Sequence, residues 1–194
     1  MTATASAPRN ARRIPGESGT WVFLFGDMLV FGAFFVTFLV ARGGEPAVFD
    51  AARTTLHIGV GVLNTLVLLT SSLCVVLALN AMRAGLGPVA TRAVTAAIAF
   101  GLVFIALKVF EYVSLATAGH GPGANDFYLY YFILTGLHLF HVCLGLGVLS
   151  FVFSQTRRVE LSETRTALVE GGACFWHLVD LLWIFLFALL YLVS

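Results

Sequence analysis

Five long apolar runs organise this chain, at about 20–41, 57–82, 93–118, 127–153 and 169–193. Each is long enough to cross a bilayer, which takes about 20 residues at a rise of about 1.5 Å per residue. Lipid offers no hydrogen-bond partner to a bare backbone, so each run is predicted to be a helix. The polar stretches between them are short, such as "RGGEPAVFDAART" and "AGHGPGAND". The pattern predicts an all-α bundle of five transmembrane helices. Residues 1–19 form a polar arm on the cytoplasmic side, and residues 20–194 form one membrane domain. There is no clear internal repeat and no room for a soluble domain.

Composition agrees with the pattern. The chain is 59% hydrophobic and only 11% charged, whereas soluble domains carry about 25% charged residues. The net charge of +1 implies no general attraction to nucleic acid. Cys74, Cys143 and Cys174 lie in apolar runs without metal-type spacing and read as small packing residues. The basic residues of the arm mimic the start of a signal peptide. The apolar run that follows is of full span length and has no small-residue cleavage site, so a retained first span is expected.

Arginine placement sets the expected orientation. Arg9, Arg12 and Arg13 lie in the arm, Arg83 and Arg92 in the second loop, and Arg157, Arg158 and Arg165 in the fourth. The opposite loops carry only Arg42 and Arg53. The positive-inside rule then puts the N-terminus in the cytoplasm and the C-terminus outside.

Within the spans, a few polar residues stand out, because ionisable groups at membrane depth are expensive. On this topology Asp27 lies about 10 Å into the first span, at a depth similar to His141 and His177. His138 and Asp180 fall nearer the middle. Lys108 and Glu111 lie in the outer half, with Asn64 at a similar level. Three pairs, Lys108 with Glu111, His138 with His141 and His177 with Asp180, are each three residues apart and so share a helix face. Glu170, seven before His177, extends that last stripe. These stripes are expected to turn inward and meet.

Each has a structural reading: Lys108 and Glu111 as a self-neutralising pair, the histidines and Asp180 as interhelical clamps. The Phe-rich "FGAFFVTF" reads as packing and lipid contact, and Ala93, Ala97 and Gly101 as a ridge of small residues for close helix contact. Arg157 and Arg158 read as topology determinants that could also meet lipid phosphate. The functional alternatives are a haem or metal held by His141 and His177, with His138 and Glu111 beside them, and a proton-conducting transporter relaying through Asp27, Glu111 and Asp180. No Ser-His-Asp order suggests a hydrolase.

Taken together, the motifs resemble subunit III of the haem-copper oxidases, the cytochrome c oxidase subunit 3 family. "FWHLVDLLWIFLF" (175–187) is similar to the family's terminal-helix signature, and Glu170 falls where the family keeps a glutamate. "LNTLVLLTSS" (63–72), "FEY" (110–112) and "GLHLFHVCLG" (136–145) resemble its motifs on three earlier spans. The resemblance implies a subunit with no catalytic, metal or cofactor-binding residues of its own. Haem, copper and the oxygen chemistry would lie in a partner, the catalytic subunit I. This chain would pack on that subunit in a bacterial cytoplasmic membrane, bind phospholipid, support proton uptake and protect its partner from inactivation. Asn64, Lys108, Glu111, His138, His141, Glu170, His177 and Asp180 would then form a structural polar network.

Two departures qualify the likeness. The longer family form has seven spans, and the first span here matches its third, so the lipid cleft made by the first two cannot be complete. Whether a partner chain supplies those helices is left open. Asp27, in "FGDMLVFGAFF", stands where most of the family has a glutamate known for carbodiimide reactivity. The start "GESGTWVFLFGDMLVFGAFF" is also similar to the short branch linked to nitric oxide reductase, the NorE type. The partner could therefore reduce oxygen or nitric oxide.

Overall fold

A computed structural model describes residues 18–156 and 162–193. Arg157, Arg158 and most of the N-terminal arm lie outside the described residues. The elements are α1 (Ser18–Gly44), α2 (Pro46–Arg53), α3 (Ile58–Arg83), α4 (Gly87–Thr117), α5 (Asp126–Gln155) and α6 (Glu163–Phe187), which continues as a π-helix (Ala188–Leu192). Among the described residues all regular structure is helical, and five of the helices are long and apolar enough to span a membrane.

Local chemistry explains the boundaries. Pro46 and Pro88 sit in the first turns of α2 and α4, where a missing N–H and a fixed φ are no handicap. The Asn125 side chain accepts a hydrogen bond from the Tyr128 backbone N–H at 3.1 Å and so caps α5. Ser162 caps α6 in the same way through Arg165. Helix α3 ends at Gly85, with φ of 70°. There the Leu86 N–H reaches the Ala81 carbonyl at 2.8 Å and the Gly85 N–H reaches that of Met82 at 3.1 Å, the pairing that terminates helices at a left-handed glycine. Gly119 ends α4 through the same pair of bonds, from His120 to Leu115 and from Gly119 to Ala116.

Two helix starts and one short element differ from the sequence expectation. The third span starts at Gly87 rather than near 93, and the fifth at Glu163 rather than near 169. Hydropathy undercounts α6 because its first turn is polar but capped by Ser162, and α4 because Gly87, Pro88, Thr91 and Arg92 dilute its apolar start. The stretch 46–53, expected as plain loop, is the helix α2. It buries Phe49 and Ala52, three residues apart, over the end of the bundle. A search for spans cannot see so short an amphipathic helix.

Helix α6 is the centre of the bundle: 56% of its apolar window is buried, against 17% for α1. Trp176 and Trp183, seven apart and essentially inaccessible, form its inner face. Trp176 is admitted by two glycines. A Cβ on Gly145 would come within 2.6 Å of its ring, and one on Gly101 within 3.1 Å. Small residues let helices approach where no hydrophobic force separates protein from lipid. The expected small ridge on α4 follows suit: Ala97 is fully buried, and its carbonyl accepts from Ser71 of α3 at 2.8 Å. On α1, Leu24, Phe31 and Phe38 recur every seven residues and are the buried face, while Val22, Leu29, Val36 and Val40 stay exposed on its other side.

Candidate functional site

The polar residues of the spans do not merge into one network. They fall into separate clusters, each tying particular helices together.

The largest lies toward the α2 end. Lys108 and Glu111, one turn apart on α4, are buried to 1% and 2% side-chain exposure and paired at 2.8 Å. The Lys108 ammonium has three protons to place. It donates them to Glu111 Oε2 at 2.8 Å and to the hydroxyls of Tyr131 on α5 and Tyr191 in the π-helix, both at 3.1 Å. Tyr191 in turn donates to Glu111 Oε1 at 2.7 Å. The ammonium also lies near four aromatic rings, 4.8 Å from that of Trp183 and 5.0 Å from that of Tyr131, with Tyr191 and Tyr112 slightly farther. The rings add cation–π attraction. Around this centre, Trp183 Nε1 donates to Thr65 Oγ1 of α3 at 3.0 Å, and Tyr112 shares a hydrogen bond with Thr135 at 2.7 Å. The cluster therefore joins four of the five spans.

At the other end, Asp27 of α1 meets His141 of α5, with Oδ2 3.4 Å from Nε2. His141 Nδ1 lies 2.8 Å from the Leu137 carbonyl. A carbonyl can only accept, so Nδ1 carries a proton and Nε2 is left to face the acid. Phe31 and Phe175 pack on the imidazole, at centroid distances of 5.4 and 6.4 Å.

The third cluster joins α3 to α6. His177 Nδ1 and Ser72 Oγ are 2.5 Å apart. Ser72 also stands beside Asp180, whose Oδ1 is buried without a protein partner. The serine, rather than a direct contact, connects the histidine and the aspartate. Glu170, seven before His177 on the same helix, faces α3 as His177 does, but has a partner of its own. It pairs with the exposed Arg83 at 2.9 Å and ties the start of α6 to the end of α3.

Two expected members stand alone. His138 is fully buried between Phe104 and Trp183, with ring centroids 5.7 and 5.3 Å away, and neither of its nitrogens has a protein partner. Asn64 is equally buried, and its amide also lacks a protein partner. Sequence reasoning missed Tyr131, Tyr191, Trp183, Thr65 and Ser72. Ser72 closes the quoted "LNTLVLLTSS", and the tyrosines are polar only at the tip, so a survey for charge passes over them.

The donors also bear on the haem and metal alternative. His141 is committed to Asp27 and Leu137, and His177 to Ser72, so the two expected ligands serve different partners. Among the described residues, no three His, Cys, Asp or Glu side chains group closely enough to hold a metal ion.

Fold and clusters together define a multi-pass membrane protein in which Lys108 pairs with Glu111, and Asp27 with His141, within the bundle. Sequence comparison gives it a family. The sequence model of cytochrome c oxidase subunit III matches residues 13–194, so the chain belongs to that family. Among curated relatives, it is 29% identical over 177 residues to cytochrome c oxidase subunit 3 of Alkalihalophilus pseudofirmus, covering 91% of this chain and 85% of the relative. It is 31% identical to cytochrome c oxidase subunit 3 of Thermostichus vulcanus, covering 91% and 86%. It is also 31% identical to cytochrome bo(3) ubiquinol oxidase subunit 3 of Pseudomonas putida, covering 91% and 84%.

Proposed function

We propose that this chain is the non-catalytic third subunit of a respiratory haem-copper oxidase, packed against catalytic subunit I in a bacterial cytoplasmic membrane. The observation that carries the reading is the family match across the whole bundle, with relatives named as subunit 3 of cytochrome c and quinol oxidases. The geometry fits such a role. The buried charges are spent on holding helices together, and the apolar outer flank of α1 is free to meet another hydrophobic surface. The haem and copper belong to the partner. This chain contributes a rigid wall, a phospholipid environment and, through the acid Asp27 beside His141, support for proton uptake. The arginine bias assigns the N-terminus to the cytoplasm and Ser194 to the outside.

Purification of the tagged chain from its own membranes in mild detergent tests this. The expected result is co-purification with a large subunit carrying haem and copper, and identifying that subunit separates an oxygen-reducing oxidase from a nitric oxide reductase. Stoichiometric haem that stays with the isolated chain, and is lost on replacing His141 or His177, would overturn the reading.

A further inference from the structure

The fifth span does not finish as an α-helix. Its last turn, Ala188–Leu192, is the only π-helix among the described residues. π-Turns are rare and tend to occur at positions with a task. Trp183 and Tyr191 show what this one does. Both rings lie by the same Lys108 ammonium, at 4.8 and 5.6 Å, yet they are eight residues apart in sequence. At 3.6 residues per turn, eight α-helical residues would leave the two side chains about 80° apart around the axis, whereas seven would leave about 20°. The π-turn absorbs one residue and makes a spacing of eight behave as seven. In an uninterrupted α-helix the residue on the face of Trp183 would be Leu190, which offers Lys108 no acceptor.

Tyr191 is held at both ends. Its hydroxyl accepts from Lys108 and donates to Glu111. Its backbone carbonyl accepts from Arg53 Nη1 at 3.4 Å, at the end of α2. Its ring lies so close to α3 that a Cβ on Gly61 would stand 3.1 Å from it.

We propose that the π-turn is a register corrector, and that the residue it delivers, Tyr191, links the α2 cap to the buried Lys108–Glu111 pair. The cap and the pair sit on different helices, and Arg53, Lys108 and Glu111 all bond to this residue. A change at Arg53 is therefore felt at Glu111 through the tyrosine.

The test is a set of double-mutant cycles on the full chain in mild detergent, read as shifts in melting temperature. In the native chain, Tyr191→Phe lowers the melting temperature, and has little further effect once Glu111→Met is present. Deleting Leu189 makes the spacing seven and should preserve that coupling with an ordinary α-helical end. Inserting an alanine after Ala188 makes it nine and should abolish the coupling. Arg53→Gln and Glu111→Met should be non-additive in the native chain and additive when Tyr191 is Phe. Coupling that is lost in the deletion and kept in the insertion would overturn the register argument, and additivity of Arg53→Gln with Glu111→Met in the native chain would overturn the link. If the deletion variant fails to fold, the insertion and the point variants still decide both.

Discussion

Replacing Lys108 with methionine probes how much a buried ion pair contributes inside a membrane. In a water-soluble protein, removing one member of a buried pair costs about 3–5 kcal/mol, because the other charge is stranded. Here the two charges are three residues apart on one helix and paired at 2.8 Å. They therefore remain neighbours when α4 is separated from the bundle but still helical in lipid. The pair itself largely cancels between assembled and separated helices. What assembly adds to Lys108 is the two hydrogen bonds to Tyr131 and Tyr191 and the surrounding rings. Interhelical hydrogen bonds in membranes average about 0.6 kcal/mol each. A cation over aromatic faces adds about 0.5–1 kcal/mol. Lys108→Met should thus cost about 2 kcal/mol of bundle stability. Lys108→Met with Glu111→Leu should cost little more, since Glu111 contributes only one further tertiary bond, to Tyr191. The assay is reversible unfolding of the full chain in bicelles, followed by tryptophan fluorescence, for both singles and the double. A loss of about 4 kcal/mol or more in the single, largely rescued in the double, would show that the charges are first brought together by folding. That result would refute the reasoning.

Three further outcomes are expected. Gly145→Ala forces a methyl into the ring of Trp176 and should destabilise by about 1–3 kcal/mol, with Trp176→Leu in the same chain recovering much of the loss; thermal melting reads both. A hydrophobic carbodiimide should label the subunit mainly at Asp27, the acid beside His141. Mass spectrometry should find the label gone in Asp27→Asn, and label moved to Glu111 or Asp180 would refute the assignment. Reporter fusions at the two ends should report opposite sides of the membrane, and equal readings would contradict an odd number of spans.

The spans were legible in sequence because hydropathy over about 20 residues is a strong signal. The first turns of α4 and α6 and the short α2 were not, since a few residues of helix carry no such weight. Among polar positions, the pairing of Lys108 with Glu111 follows from spacing on one helix, and the meeting of Asp27 with His141 from similar depth. The spacing of Glu170 from His177 gives their shared face but not its partner Arg83, which becomes a neighbour only when α3 and α6 pack side by side. Tyr191 could not be read at all. Its role depends on a π-turn, and an α-helical wheel puts Leu190 in its place.

The thin attachment of α1 bears on how the bundle is made. A ribosome delivers α1 before α5 and α6, yet the surfaces it rests on belong mainly to those two later helices. Until they arrive, the first span must remain in the bilayer with Asp27 lacking His141, and Phe31 and Phe38 lacking their pockets. The α3–α4 hairpin, the most extensively packed pair, can close without waiting. The seating of α1 thus has to wait for helices made after it.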